Sequence, residues 1–439
     1  MMRAITLRIL LPLGLLLLPA TAAAQIGNPA PQALGMGGNY TALARGLAAP
    51  AWNPAGLGMS DNPGASFALL PLHFNAGLSP IALSDLAEYD GELIPAEQRE
   101  AWLAEIRENG SETGAFGTDV TLAALSVGRV ALSASSSVRG RVDMAPDVAE
   151  VFFFGNAGLT GEPGTYTLAG SSLDVSGTTT LAASFALPLS LALGPLPDQH
   201  FALGATLKYT VGNFLVLGRE SGSSISSDPL EVNVAFPMVH TPFSTDAETD
   251  LFGNVLNNGS GIGLDLGAAW KGGPLSAGVA IRNIVNTFEW DLEGLLYREG
   301  TAVWNADTSA TTFEELHIDR APTELLDRID ELYTFSPVLS AGVAARLLPF
   351  LLLTGDVRHA LDDNLDIGVQ NHLGVGAELD IVPFLPLRAG LAAVSGGYQL
   401  SGGAGLRLGP VQLSAAAAMR QTDLGDDSMA ALALTFGLR

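Results

Sequence analysis

Large apolar residues alternate with small or polar ones along many short stretches of the chain. At the C-terminus Leu432, Leu434, Phe436 and Leu438 fall on one face, while alanine, threonine and glycine fall on the other. A repeat of two residues is the spacing of a β-strand, in which successive side chains point to opposite sides. The pattern therefore predicts strands that each have one apolar face.

The alternation predicts fourteen such strands. They lie near residues 64–80, 117–128, 129–140, 176–193, 200–217, 259–271, 274–290, 334–347, 350–360, 366–382, 386–395, 397–408, 410–420 and 428–438. The connections between them are alternately short and long. An even number of strands, with short turns on one side and long loops on the other, is typical of bacterial membrane barrels.

Composition favours a membrane environment for these strands. Only 15% of the residues are charged and 48% are hydrophobic, whereas about a quarter of the residues in soluble domains are charged. After the N-terminus the chain has no uninterrupted run of 18 apolar residues, which excludes a bundle of membrane helices. A closed barrel is the other structure that satisfies all backbone polar groups in lipid. The predicted fold is therefore an all-β, transmembrane antiparallel barrel.

The N-terminus has the pattern of a secretory signal. Arg3 and Arg8 accompany an apolar stretch from Ile9 to Leu18, and the small residues Ala22 to Ala24 follow. This order predicts a signal peptide over residues 1–24 that is removed from the mature protein. The alternative is a retained anchor helix, but the apolar run is shorter than the roughly 20 residues that span a bilayer.

Charge is distributed unevenly along the chain. Four long segments, near residues 85–112, 141–175, 218–258 and 289–333, hold 32 of the 45 acidic residues. They are explained most simply as hydrated outer loops; the alternative is that they bind divalent cations, although no loop contains an EF-hand motif. Lys208 and Lys271 are the only lysines. Because nucleic-acid binding needs clustered basic residues, no nucleic-acid partner is predicted.

The beginning of the predicted mature chain contains a glycine-rich run from Ala33 to Ala44, followed by Ala51-Trp52-Asn53-Pro54-Ala55-Gly56. These motifs resemble the N-terminal signature of the FadL-type superfamily, the long-chain fatty acid transporters of the outer membrane, and of related secretion-system barrels of the PorV type. The stretches Gly261 to Ala268 and Arg282-Asn283-Ile284 are similar to an uncharacterised branch of that group. The resemblance implies a fourteen-stranded barrel in the bacterial outer membrane. It also implies an N-terminal hatch inside the barrel and hydrophobic ligands that leave through a lateral gap in its wall.

Residues 25–63 have the composition that such a hatch needs, and residues 64–439 would then form the barrel. Asn-Pro pairs interrupt regular structure in this segment, and its many small residues permit close packing inside a lumen. Two roles remain open for Asn53 and Pro54. They either start a turn, as both residue types often do, or contact a ligand.

The alternate positions of the predicted strands that face inward place several charged residues in the lumen. The candidates for ligand contact are Lys208, Asp265, Arg282, Asp356, Arg358 and Glu378. Lys208 and Asp265 lie on neighbouring strands and Arg282 lies on the next, so a cross-strand network is expected. These charges either hold the hatch and hydrate the interior, or bind a carboxylate ligand through an unpaired arginine. The same parity places further charges inward: Arg129, Arg139, Arg346, Asp380, Arg388 and Arg407.

Two of the long segments contain predicted helices, over residues 95–109 and 323–333, because apolar residues recur there at helical spacing. These helices either cap an outer ligand mouth or pack over the rim of the barrel.

The sequence contains no zinc-type histidine spacing, no Gly-x-Ser-x-Gly elbow and no phosphate-binding loop. An enzyme is therefore not expected, and neither a cofactor nor a metal is predicted. The leading hypothesis is an outer-membrane barrel that contacts outer-membrane lipid and binds or passes small hydrophobic molecules. One alternative is a barrel that docks secreted or surface proteins through its outer loops. Another is a structural barrel with a permanently closed hatch.

Overall fold

A computed structural model describes residues 30–190, 196, 198–242, 258–305, 307, 309–333, 335–361, 370–422 and 425–438. The predicted signal peptide lies outside the described residues, as do residues 25–29 of the predicted hatch. A segment from residue 30 to residue 63, called here the N-terminal segment, precedes the barrel. It contains two short helices, α1 (Pro31–Gly35) and α2 (Ala49–Trp52), and two 3-10 turns, Gly46–Ala48 and Pro54–Gly58.

Within the described residues, fourteen antiparallel strands form one closed barrel. The first strand, β1, has two halves, Ala65–Leu69 and Leu72–Ser79, and it closes the barrel by pairing with the last strand. The other strands are β2 (Glu112–Val127), β3 (Val130–Met144), β4 (Ser172–Leu189), β5 (His200–Arg219), β6 (Gly259–Gly272), β7 (Leu275–Asn286), β8 (Val338–Leu348), β9 (Leu351–Ala360), β10 (Asn371–Val382), β11 (Leu385–Val394), β12 (Gly397–Leu408), β13 (Val411–Thr422) and β14 (Gly425–Leu438). The predicted fold class and strand number are confirmed.

The outer face of the wall is apolar all the way round. Each strand exposes at least one large apolar side chain: Phe67, Leu125, Leu132, Leu181, Leu207, Ile262, Val279, Leu339, Val357, Leu373, Leu391, Leu400, Leu413 and Leu432, in order from β1 to β14. Soluble proteins rarely expose a continuous apolar surface of this extent, whereas membrane barrels present such a band to lipid. The alternating pattern of the sequence therefore corresponds to a wall with hydrocarbon outside and small or polar residues inside.

Two differences from the predicted strand limits have a structural explanation. The first predicted strand, 64–80, is interrupted at Leu70 and Pro71, where Leu70 has a positive φ of 51° and proline has no N–H for pairing. The second begins at Glu112 instead of near residue 117, because β2 and β3 continue their pairing beyond the apolar band into the outer loops.

The long loops build a cap on one side of the barrel. Its helices are α3 (Leu83–Ala87), α4 (Ala96–Asn109), α5 (Pro146–Phe154) and α6 (Thr323–Tyr333), with 3-10 turns at Leu292–Gly294 and Ile318–Arg320. Both predicted loop helices are present, as α4 and α6, whereas α3 and α5 were not predicted. No described helix has both the length and the apolar character required to cross a membrane.

Short strands complete the cap. Met238–His240, Glu289–Trp290, Leu296–Glu299 and Glu314–His317 extend the barrel sheet. A separate sheet of five described strands contains Thr165–Thr167, Ser224–Ser227, Leu230–Ala235, Thr301–Asn305 and Ser309–Thr311. Three different loops supply its strands, so these loops hold one another above the barrel mouth.

Two apolar clusters anchor the cap helices. On α4, Trp102, Leu103 and Ile106 are buried against Ile81 and Ala149. On α6, Leu325 and Ile329 are buried in a larger cluster that includes the inward-facing residues Leu215 and Leu217 of β5. Each helix buries its apolar stripe against its own protein, as amphipathic surface helices usually do.

Candidate functional site

The N-terminal segment fills much of the lumen. Its residues Ala33, Trp52 and Leu57 are buried, and each belongs to an apolar cluster with nearby residues. Trp52 packs near Ala182 of β4, and Leu57 packs near Ala186 of the same strand. The segment is therefore packed against the inner wall.

Asp356 on β9 holds the middle of this segment. One oxygen of its carboxylate, Oδ2, accepts hydrogen bonds from the backbone N–H groups of Tyr40 and Thr41, at 3.0 and 2.8 Å. Asp356 itself is only 3% exposed. Hydrogen bonds to a buried carboxylate are stronger than those between neutral groups. This predicted lumen residue thus contacts the segment directly.

Asn53 combines a turn with a contact to the wall. Its Oδ1 accepts a hydrogen bond from the backbone N–H of Ala55 at 3.1 Å, which caps the 3-10 turn that begins at Pro54. Its Nδ2 donates to the carbonyl oxygen of Ala268 on β6 at 3.0 Å and to that of Thr41 at 3.3 Å. The turn role expected for Asn53 and Pro54 therefore has a structural basis in these contacts.

Glycines on the inner wall make room for this turn. A Cβ atom added at Gly267 of β6 would clash with Oδ1 of Asn53, and one added at Gly204 of β5 would clash with the backbone between Pro54 and Ala55. The Gly261 to Ala268 stretch noted in the sequence therefore includes a position where the backbone of the segment approaches the wall closely.

Arg358 on β9 and His372 on β10 also contact the N-terminal segment. The guanidinium of Arg358 lies over the Trp52 ring, 5.0 Å from its centroid, which is the geometry of a cation–π contact. Nε2 of His372 is 3.2 Å from Oδ1 of Asn39. His372 was not among the candidates predicted from the sequence, because a lone histidine has no local pattern that indicates such a contact.

Lys208 and Asp265 form a buried ion pair, with 2.6 Å between Nζ and Oδ1. Asn283 joins them: its side-chain oxygen accepts a hydrogen bond from Lys208, and its backbone N–H donates to Asp265 at 2.7 Å. The expected cross-strand network therefore exists, with Asn283 as a member that the sequence analysis did not select. Arg282, the neighbouring candidate, is half-buried on the same strand.

The Arg282-Asn283-Ile284 motif coincides with an irregularity of the sheet. Leu264 pairs with Val285 and Leu266 pairs with Ile281, so the register between β6 and β7 shifts at this point. Asn283 has a positive φ of 54°, a conformation that asparagine tolerates better than most residues. The bulge directs both the backbone N–H and the side chain of Asn283 to the ion pair.

Glu378 is the centre of another ionic network near the side of the short turns. Its carboxylate accepts hydrogen bonds from Nε of Arg388 at 2.7 Å and from Nη2 of Arg407 at 3.0 Å. Arg407 also pairs with Asp380, with 2.6 Å between Nη1 and Oδ1. The inward charges of β10, β11 and β12 therefore neutralise one another.

Two further ionic groups lie toward the cap. Asp119 pairs with Arg139 at 2.9 Å and with His73 at 3.3 Å. Asp174 pairs with Arg219 at 2.6 Å and with Arg328 of α6 at 3.3 Å, which ties the helix to the wall. Neither aspartate was predicted to be a site residue, and Asp174 had been assigned to a loop.

The N-terminal segment is also fixed at the side of the short turns. Asp61 pairs with Arg45 at 2.6 Å and with Lys271 of β6 at 2.7 Å. Although partial burial acts to raise its pKa, the adjacent Arg45 and Lys271 hold the pKa of Asp61 at about 2. This carboxylate therefore remains charged at neutral pH and joins the end of the segment to the wall.

A cavity of about 860 Å³ lies between the N-terminal segment and strands β1–β3 and β12–β14, on the side of the short turns. Six alanines of the N-terminal segment and the wall line the cavity: Ala30, Ala48, Ala51, Ala68, Ala124 and Ala433. Hydroxyl and amide groups, such as those of Ser66, Ser133 and Gln412, are interspersed among them. A cavity of this size and character is suited to a small, mainly apolar molecule.

The interruption of β1 borders this cavity. Ala68 pairs with Thr435 and Leu72 pairs with Leu432, so three residues of β1 lie opposite two of β14. Pro71, within the interruption, lines the cavity and has no N–H to donate. The pairing with β2 continues without a shift, and the N–H of Thr121 donates to the carbonyl of Pro71 at 3.0 Å. The wall is therefore weakened at the seam between β1 and β14.

The part of the chain that the structure describes contains no group of three or more histidine, aspartate or glutamate side chains arranged to hold a metal ion.

Comparison with known families identifies the family of this chain. The family model described as a family of unknown function, DUF5723, matches residues 60–380. The chain belongs to this family. The DUF5723 match begins just before β1 and ends within β10, so it covers most of the wall and the long loops. A comparison with curated proteins gives no match.

Several solved structures are similar to this DUF5723 member. The Ralstonia pickettii toluene transporter TbuX has 12% identity over 93% of this chain and 98% of its own, with a TM-score of 0.49. A Pseudomonas aeruginosa FadL homologue has 12% identity over 96% and 100%, with a TM-score of 0.47. The Pseudomonas putida toluene transporter TodX has 12% identity over 95% and 99%, with a TM-score of 0.49. A FadL homologue is thus among the solved structures that the chain resembles.

Proposed function

We propose that the protein is an outer-membrane barrel that binds small hydrophobic molecules in the cavity beside β1 and passes them through the wall. The observation that carries this proposal is the position of the cavity directly behind the interruption at Leu70 and Pro71. An apolar cavity favours an apolar occupant, because its burial removes hydrocarbon surface from water. A wall with missing hydrogen bonds is also easier to open than a regular one.

The N-terminal segment supports a sideways route. It is anchored by Asp356, by the contact of Asn53 with Ala268 and by the ion pair of Asp61 with Lys271. These contacts lie on different strands, so a straight path along the barrel axis is obstructed. We assign residues 25–63 the role of a hatch that directs a bound molecule from the lumen to the lipid-facing side.

Binding in the cavity can be tested by filling it. Ala433 on β14 lines the cavity, whereas Ala430 on the same strand points outward. The detergent-purified protein and the variants Ala433→Phe and Ala430→Phe would be compared for binding of N-phenyl-1-naphthylamine, an uncharged fluorescent hydrophobic probe. The wild type and Ala430→Phe should bind the probe, and Ala433→Phe should lose at least about tenfold in affinity. Equal binding by all three proteins would contradict the proposal.

Docking of a protein partner is a second candidate function. It is favoured by the separate outer sheet, which places the exposed side chain of Trp304 above the barrel on a strongly acidic cap. A variant in which Thr301–Asn305 and Ser309–Thr311 are replaced by a short glycine-serine linker would distinguish the two. Probe binding in the cavity should be retained, whereas a docking function would be lost.

A further inference from the structure

The polar groups of the cavity define the kind of molecule that it accepts. We propose that the cavity selects uncharged apolar molecules that carry one hydrogen-bonding group, such as a long-chain alcohol or a phenol, over carboxylates of the same size. This inference rests on the proposed function, because it concerns the ligand of the same cavity.

The cations beside the cavity are already neutralised. Of the described residues that line it, two carry a full positive charge, Arg45 and Arg407. Arg407 makes two ion pairs, with Asp380 at 2.6 Å and with Glu378 at 3.0 Å. A charged ligand would therefore compete with two carboxylates that are fixed in place by the wall.

Arg45 is occupied in the same way. Its Nε pairs with Asp61 at 2.6 Å, and its Nη1 donates to the backbone carbonyls of Ala42 and Ala44 at 3.2 and 2.8 Å. The side chain is thus fixed by both charge and geometry. A ligand carboxylate could reach this guanidinium only by displacing bonds that hold the N-terminal segment.

Displacement of either carboxylate is unfavourable. A carboxylate that enters the cavity gives up its hydration, and burial of an unpaired charge costs several kcal/mol. If the ligand takes Arg407 from Glu378 or Asp380, the displaced carboxylate loses one of its ion pairs, at 3.0 or 2.6 Å. The free energy of binding therefore gains little from the arginines, and the desolvation of the ligand carboxylate is left uncompensated.

Uncharged groups of the cavity are available instead. The hydroxyl oxygens of Ser66 on β1 and Ser133 on β3 are buried, line the cavity and have no hydrogen-bond partner in the structure. A buried hydroxyl without a partner costs roughly 1–3 kcal/mol. A neutral hydroxyl or carbonyl group of a ligand satisfies such an oxygen without introducing a charge. Gln412 and Thr435 add further neutral polar groups to the same lining.

A pair of ligands with equal chain length tests the selectivity. The full-length protein in mild detergent would be loaded with N-phenyl-1-naphthylamine, and 1-dodecanol and dodecanoate would be compared as competitors at pH 8, below their aggregation limits. Dodecanol should displace the probe at a concentration about tenfold lower than dodecanoate, which corresponds to about one hydrogen bond of difference. Dodecane serves as the reference without a polar group.

Variants assign the preference to named groups. Ser66→Ala combined with Ser133→Ala should reduce dodecanol affinity toward that of dodecane and leave dodecane unchanged. Ser340→Ala, which removes a buried hydroxyl of β8 outside the cavity lining, is the matched control. Glu378→Gln combined with Asp380→Asn releases Arg407 and should increase dodecanoate affinity about tenfold or more.

The outcomes separate this inference from the proposed function. If neither competitor nor probe binds, the proposed function itself is wrong. If dodecanoate binds as tightly as dodecanol or more tightly, or if the double serine variant leaves dodecanol affinity unchanged, the selectivity is wrong while cavity binding stands. Folding of each variant is checked by heat-modifiable migration in gels. If the carboxylate variant does not fold, the serine variants and the wild-type comparison still decide.

Discussion

The backbone N–H of Thr41 donates a hydrogen bond to the carboxylate of Asp356 at 2.8 Å, and this contact joins the N-terminal segment to β9. The same carboxylate oxygen also accepts from Tyr40. Loss of the carboxylate would leave two backbone donors without their acceptor at a buried site. The attachment of the segment should therefore depend strongly on this one side chain.

Asp356→Ala is expected to loosen the N-terminal segment without dissolving the barrel. Each unsatisfied buried N–H costs roughly 1–3 kcal/mol. Limited proteolysis should cleave residues 36–60 of the variant at least about tenfold faster than in the wild type, while the barrel remains resistant. Asp356→Asn retains an acceptor oxygen and should show a smaller effect. Equal cleavage rates in all three proteins would show that other contacts hold the segment.

Gly267→Ala should disturb the contact between Asn53 and the wall, because the added Cβ would clash with Oδ1 of Asn53. The expected loss of stability is about 1–3 kcal/mol. Asn53→Ala alone should cost about 1–2 kcal/mol, since it removes a cap and a hydrogen bond to Ala268.

In the double variant the clash with Oδ1 of Asn53 is absent and only the milder approach to Cδ of Pro54, at 3.0 Å, remains, so its loss of stability should be smaller than the sum of the two single losses. Thermal unfolding in detergent would measure this coupling. Strict additivity would mean that the two residues do not meet.

The ion pair of Lys208 and Asp265 should be costly to break and nearly neutral to replace. Lys208→Met or Asp265→Leu leaves one buried charge without its partner, which costs about 3–5 kcal/mol. The combined variant removes both charges and should recover most of that stability. Unfolding midpoints in urea for the four proteins provide the double-mutant cycle. Equal midpoints for the single variants and the wild type would contradict a buried pair.

Glu112 should make the cap sensitive to pH. It begins β2 beyond the apolar band, its carboxyl is buried, and Oε2 accepts a hydrogen bond from the N–H of Ile81 at 3.3 Å. Burial, together with the nearby Glu105, raises the pKa of Glu112 from 4.5 to about 7. Between these values the folded cap retains a proton that the unfolded loop releases. The contribution of Glu112 to the stability of the cap is therefore fully present below pH 4.5 and is lost as the pH rises through 7.

Hydrogen exchange in α4 measures this effect. After correction for intrinsic rates, amides of α4 in the wild type should exchange faster at pH 8 than at pH 5. The opening free energy should differ between the two pH values by at most roughly 3 kcal/mol. Glu112→Gln cannot ionise and should lose this difference. Glu108→Gln, on the exposed side of α4, is the control. The same pH response in Glu112→Gln and the wild type would refute the assignment.

The wall was predictable because one physical rule governs it. Residues such as Leu207 and Leu432 face lipid, and their neighbours face the lumen, so a period of two extends along every strand. The parity also placed Lys208, Asp265 and Asp356 inside. The partners of these residues were less accessible to sequence analysis, because Asn283 reaches the ion pair through a bulge and Thr41 binds Asp356 through its backbone.

The interruption of β1 had a signal in the sequence that the alternation concealed. Pro71 stands within a predicted strand, and proline is unfavourable in a paired interior position. The outer sheet and α5 left no comparable signal. Strands such as Ser309–Thr311 are short and exposed, so no apolar period marks them, and their pairing depends on loops that are far apart in the sequence.

The seam between β1 and β14 also determines the order of assembly. It pairs the first strand with the last, so the barrel cannot close until nearly the whole chain has been synthesised, and contacts of such long range form late. The N-terminal segment directly precedes β1, so the strand that closes the barrel is also the strand that tethers the segment. A barrel built from residues 64–439 alone would lack the covalent link that keeps the segment at the lumen.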